Sequence, residues 1–137
     1  MMVRFFDSNV LVYYVDNRDE AKQKTAEVLL DGALKGDFAS LISVQTLTEF
    51  VNVSIKKLEL PQDVVEQYLD VFSELPAISP DVRMVKRGFE IKRQYDIQFY
   101  DAMMVAAAER AGADELCTED LNDGQLYCGV KAVNPFK

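Results

Sequence analysis

Four acids, Asp7, Glu49, Asp101 and Asp120, with Asp123 as a candidate fifth, carry whatever chemistry this sequence offers. The chain has no histidine. His-based triads, His-ligated zinc and a histidine general base are therefore excluded, and catalysis has to rest on carboxylates. Acids that meet in one crevice repel one another unless a cation neutralises them, and hard oxygen donors select Mg²⁺ or Mn²⁺. Each acid also has a plain structural reading. Asp101 precedes the apolar run Ala102-Met103-Met104-Val105 and can cap a helix or complement its dipole. Asp7 can be a turn residue, Glu49 a solvated glutamate, and Asp120 and Asp123 loop acids. Convergence of the acids in space is what separates the two readings.

The other residue types narrow the field further. Fifteen Lys and Arg against 23 Asp and Glu give a net charge of −8, so tight binding of a polyanion by simple electrostatics is disfavoured without bound cations. Cys117 and Cys128 are the only cysteines and read as reduced core thiols rather than a disulfide framework or a four-cysteine zinc site. With 137 residues, 49% hydrophobic and 28% charged, the expectation is one globular domain spanning 1–137. No apolar run approaches the roughly 20 residues needed to cross a bilayer. Asp7 stands where the apolar part of a signal peptide would lie, so a cytoplasmic location is expected, with no membrane partner.

Elements that could position the acids follow from periodicity. Val3 to Phe6 reads as a strand running into an active loop at Asp7-Ser8-Asn9. Residues 20 to 34 form a helix that ends near Gly36, and Phe38 to Ile42 is a second strand. Ser43 caps a helix carrying Val44, Leu47, Val51 and Ile55 to about residue 58. Pro61 opens the next helix, which stops at Pro76, so the two make an antiparallel hairpin. Helices are expected from about 81 to 95 and from about 99 to 111, the second largely buried. Glu115 to Cys117 and Val130 to Val133 are the last strands. Short strands alternating with helices point to an α/β fold with a central parallel sheet covered on both faces. In such sheets ligands bind beyond the carboxyl ends of the strands, where Asp7 and the Thr118–Asp123 segment lie.

These motifs, in this order, resemble the PIN-domain family over nearly the whole chain, from Val3 to about Val133. Phe5-Phe6-Asp7-Ser8-Asn9 is similar to the family's opening strand and turn, and Thr48-Glu49-Phe50 to the helix bearing its second acid. Tyr100-Asp101-Ala102 resembles the third motif, and Leu116-Cys117-Thr118-Glu119-Asp120 the Leu-x-Thr-x-Asp motif. The resemblance implies a Rossmann-like PIN fold with a protruding helical hairpin and divalent-metal endoribonuclease activity with Mg²⁺ or Mn²⁺. It implies Asp7, Glu49, Asp101 and Asp120 as the acidic quartet, with Ser8, Asn9 and Thr118 orienting it. For chains of this size it implies a VapC-type toxin, cutting an RNA substrate and held by a cognate antitoxin. An RNA-processing nuclease outside a toxin system is the alternative. One metal or two, and which acid handles the attacking water, stay open.

Other functions meet obstacles in the residues. A phosphoaccepting receiver domain needs a mid-chain Asp, yet residues 38 to 62 contain none. A haloacid-dehalogenase-like phosphatase wants Asp-x-Asp after the first strand, where this chain has Asp7-Ser8-Asn9. A non-catalytic binding protein on the same scaffold has no need to keep all four acids. The apolar stripes of the 44–58 and 61–75 helices suggest a homodimer, and the same hairpin suits an antitoxin peptide that brings an Arg near the acids. Arg83, Lys86, Arg87, Lys92 and Arg93 concentrate positive charge on one predicted helix, either to carry RNA phosphates or as a solvated face balanced by acids such as Asp81 and Glu90.

Overall fold

A computed structural model describes residues 2–137. In chain order its elements are β1 (Val3–Phe6), α1 (Ser8–Val15), α2 (Glu20–Lys35), β2 (Ala39–Ser43), α3 (Val44–Lys56), α4 (Gln62–Phe72), β3 (Ala77–Ile78), α5 (Val82–Tyr95), α6 (Phe99–Arg110), β4 (Glu115–Cys117), β5 (Leu126–Tyr127) and β6 (Val130–Val133). They form one six-stranded sheet in the order β3-β2-β1-β4-β6-β5. Every pairing is parallel except that of the short hairpin strand β5 with β6.

Strand alternation explains why the sheet is covered on both sides. Phe5 and Leu116 pair in register and bury themselves in a core with α5 and α6, whereas Phe6 and Cys117 pair one position later and join a core with α1, α2, α3 and α4. Each central strand therefore sends successive side chains into different cores, and its neighbours must be helices on either face. The register also brings the carboxyl ends of β1 and β4 side by side, where Asp7 N–H donates to the Cys117 carbonyl at 3.1 Å.

Most expected boundaries hold. Gly36 ends α2 with φ +79, Ser43 caps α3 in a capping box with Thr46, and Asp81 caps α5. The loop expected after β1 is instead the helix α1, N-capped by Asp7 itself, whose carboxylate accepts from Ser8 N–H at 2.7 Å. Its sequence, SNVLVYYV, is β-branched and aromatic and disfavours helix locally. Tertiary packing overrides that preference, since Val10 and Leu11 are completely buried. The two-residue strands β3 and β5 are too short to show a period in the sequence. α3 and α4 make the expected hairpin, with Phe50 and Phe72 packed edge-on at 5.0 Å in the core and Val44, Ile55 and Val71 left exposed.

α6 is buried nearly all round, from Ala102 to Ala108, as its composition requires. α5 lies against it with Gly88 at the point of closest approach. A Cβ built on Gly88 would stand 2.5 Å from Met103 Sδ and 3.3 Å from Met103 Cγ. Gly88→Val is expected to destabilise the chain by about 1–3 kcal/mol through this overlap. A thermal-melt cycle should show Gly88→Val and Met103→Ala to be less than additive, and strict additivity would remove the contact from the account.

Candidate active site

Three elements deliver the acids to one place. Asp7 leaves β1 as the N-cap of α1, Asp101 lies in the first turn of α6, and Asp120 follows β4. One carboxylate oxygen from each lies within 4.8 Å of the others. Among the described residues no ion pair reaches any of the three. Asp101 does not cap its helix, because the cap position is Gln98. Asp7 does cap, so that residue is both the N-cap of α1 and a member of the trio.

The motif residues tie the acids to one another. Thr118 Oγ1 donates to Asp7 Oδ2 at 2.7 Å and accepts from Asp120 N–H at 3.1 Å. Asn9 Nδ2 donates to Asp120 Oδ2 at 3.1 Å and to Thr118 Oγ1 at 3.3 Å. Ser8 Oγ donates to Glu49 Oε2 at 2.7 Å, while Gln45 Nε2 donates to Glu49 Oε1 at 2.9 Å. Glu49 thus stands beside the trio, held by both oxygens, one helical turn along α3 from Gln45. Asp123 is used elsewhere: Oδ1 accepts from Asn134 N–H at 2.8 Å and Oδ2 faces Lys137 Nζ at 3.8 Å, so it braces the C-terminal segment.

Sequence reasoning missed Tyr13, Lys22, Gln45 and the role of Glu119. Glu119 turns away from the trio to accept from Tyr13 Oη at 2.6 Å and Lys22 Nζ at 3.0 Å. That outward clamp settles which of the adjacent acids faces inward, and it is Asp120. Contacts spanning 106 and 97 residues leave no local signal in the sequence.

Burial and crowding raise the carboxyl groups of all three acids. Desolvation pushes the Asp7 carboxyl up to about 7 against its bonds from Thr118 and Ser8, with the charges of Asp120 and Glu49 adding to the rise. Asp101 is pushed up to about 6, first by burial and then by Asp120 and Glu49. Asp120 is raised by burial, opposed by the Asn9 hydrogen bond. Such a site suits a hard divalent cation on its donor chemistry, three carboxylates without a basic partner. A further fit is Asn9 Oδ1, a buried oxygen without a hydrogen-bond partner beside them. A cleft of about 450 Å³, lined by Asp96, Ile97, Gln98, Asp101, Asp120 and Leu121, opens beside two of the three acids.

The chain matches the PIN-domain family over residues 4–122. It belongs to the PIN-domain family. That family is one of divalent-metal-dependent nucleases, in agreement with the acidic trio. Among solved structures, a toxin-antitoxin complex from Klebsiella pneumoniae is 23% identical, with a TM-score of 0.68 over 96% of this chain and 97% of that one. The sarcin-ricin-loop-cleaving toxin VapC20 of Mycobacterium tuberculosis is 15% identical, with a TM-score of 0.68 over 87% of this chain and 91% of that one. FitAcB of Neisseria gonorrhoeae is 14% identical, with a TM-score of 0.67 over 97% and 98%. At these identities the likeness speaks for the fold. A search of curated proteins finds no significant match. No helix among the described residues is long and apolar enough to cross a membrane.

The raised carboxyl groups set a direction for stability against pH. A carboxyl whose folded pKa exceeds its unfolded value stabilises the fold while protonated, and that contribution is lost as pH rises through the folded pKa. In metal-free protein the contribution of Asp101 should be present below about pH 4 and fade as pH approaches 6 to 7. Asp101→Asn removes the titrating group, so its melting temperature relative to wild type should climb across that window. A difference that stays flat with pH would show that Asp101 is neither desolvated nor crowded in the folded chain.

Proposed function

We propose that this PIN-domain chain is an endoribonuclease that hydrolyses RNA phosphodiester bonds with Mg²⁺ or Mn²⁺, as the toxin of a toxin-antitoxin pair. The observation that carries the nuclease reading is the convergence of Asp7, Asp101 and Asp120, with oxygens within 4.8 Å and no ion pair to a basic side chain among the described residues. In this reading the metal is held by Asp7, Asp101 and Asp120, with Glu49 completing the quartet. Bound there, it would supply positive charge for the scissile phosphate and activation of the attacking water. Ser8, Asn9 and Thr118 keep the carboxylates aimed inward. Glu49 stands beside the trio with both oxygens already hydrogen-bonded, and we assign it to orienting the water and taking up its proton. The lack of histidine is then no obstacle.

The toxin role is supported by the relatives in structure, which include a toxin-antitoxin complex and a toxin that cleaves the sarcin-ricin loop. We assign the partner to the α3–α4 face, where Val44, Leu47, Val51 and Leu69 line an open, apolar cavity of about 240 Å³. A cognate antitoxin would lay an amphipathic segment there and bring an Arg toward the acids. The chain would act as one domain and as a homodimer in the cytoplasm.

Asp7→Asn or Asp101→Asn is expected to lower metal-dependent cleavage of a structured RNA by orders of magnitude, with the fold intact by circular dichroism. Wild type should gain thermal stability from Mn²⁺ by mass action and the variants much less. Equal stabilisation of all three proteins, together with undiminished cleavage, would reject the site.

A further inference from the structure

Helix α5 is the electrical exception in an acidic chain, with five basic residues against the single acid Glu90. Arg87 is committed to structure: its guanidinium donates to both oxygens of Glu109 at 2.8 and 2.9 Å and so staples α5 to α6. Arg83, Lys86, Lys92 and Arg93 make no ion pair among the described residues. None of these four is tied to an acid by a direct contact, although, behind the Arg110 hydrogen bond, the charge of Arg83 helps to lower the Asp81 carboxyl. Asp81, the other acid expected to balance them, is bonded by Arg110.

The free cations are interleaved with apolar side chains. Met84, Gly88 and Ile91 bury one side of α5. On the opposite side Val82, Lys86, Phe89 and Arg93 recur at helical spacing, with Phe89 54% exposed and Val82 72% exposed. The Arg93 guanidinium lies 5.9 Å from the centre of the Phe89 ring. Lys86 to Arg93 covers about 10 Å of helix axis. A basic face carrying an open aromatic ring is the chemistry that tracks a phosphate backbone and stacks a base.

Its position gives the face a purpose. α5 runs antiparallel to α6, since Arg87 meets Glu109 and Asp81 meets Arg110. Its C-terminal end, bearing Lys92 and Arg93, is therefore at the end of α6 that carries Asp101. Asp96, Ile97 and Gln98, the link between the two helices, line the cleft that opens beside Asp101 and Asp120. Tyr100, 67% exposed, precedes Asp101 in the first turn of α6.

We propose that the Lys86–Phe89–Arg93 face of α5 is the docking track for a single-stranded segment of the RNA substrate, leading from the acidic cleft down the side of the protein. This deepens the nuclease reading and rests on it. The cations offset the −8 charge of the chain where the strand lies, and Phe89 stacks a base without reading its sequence.

Two measurements on the full-length chain test the track. The first is fluorescence anisotropy of a labelled oligouridylate with Mn²⁺, in an Asp7→Asn background that stops cleavage, over a salt series. The second is steady-state cleavage, with light scattering run beside it. Lys86→Gln/Arg93→Gln should reduce the slope of log affinity on log salt by about 1.4. Phe89→Ala should weaken binding about tenfold with the salt slope unchanged. Both variants should raise KM and leave kcat intact. Unchanged affinity, slope and KM in variants of a wild type that does cleave RNA would overturn the track and leave the nuclease standing. Variants that lose self-association while keeping their RNA affinity would also overturn it, assigning the face to a second copy of the chain. A wild type that neither binds nor cleaves RNA with metal would overturn both readings.

Discussion

Repulsion among carboxylates is the constraint on which the rest of this structure turns. Asp7, Asp101 and Asp120 have oxygens within 4.8 Å of one another, and Asp7 is only 4% exposed. Water cannot screen such a group well, and no basic side chain among the described residues pairs with it. The fold answers with oriented dipoles. Asp7 sits at the N-terminus of α1 and Asp101 in the first turn of α6, so two helices present their positive ends to the acids. Hydrogen bonds from Thr118, Ser8 and Asn9 add to this, yet burial first and the neighbouring acids second still raise the carboxyl groups of Asp7 and Asp101 to about 7 and about 6. Neutralisation is therefore left incomplete by the protein alone, the condition under which a divalent cation binds with most effect.

The residues beside the acids work across the site. Ser8, next to Asp7, holds Glu49; Asn9 holds Asp120; Thr118, two residues before Asp120, holds Asp7. Each short motif thus orients an acid belonging to another element, so the ends of β1, α3 and β4 are set relative to one another by the same bonds that aim the carboxylates. Glu119 extends this lattice outward to Tyr13 on α1 and Lys22 on α2. Gln45 extends it the other way, from Glu49 to the Tyr100 carbonyl at 3.4 Å.

How much of this was legible beforehand depended on the range of the interaction. Helices with strong periods and caps, such as α2 with Gly36 and α3 with Ser43, were readable because the information is local. α1 was not, because eight residues rich in Val and Tyr fold as a helix only through the burial of Val10 and Leu11. The carboxylates that converge were legible through their place after strands and at the start of the Ala/Met helix. A polar loop after β4 looks alike at positions 120 and 123, and only the turn of Asp123 toward Asn134 sets it apart from the trio. The Tyr13–Glu119–Lys22 clamp exists only once the sheet brings α1, α2 and the β4 loop together.

Cation binding by the trio of acids is what the proposed chemistry requires first. Anomalous scattering from crystals of the protein grown with Mn²⁺ tests it directly. Such binding requires an anomalous peak enclosed by the carboxylates of Asp7, Asp101 and Asp120, lost in Asp101→Asn crystals. Peaks confined to other acids of this negatively charged surface, with none among these three, would contradict it.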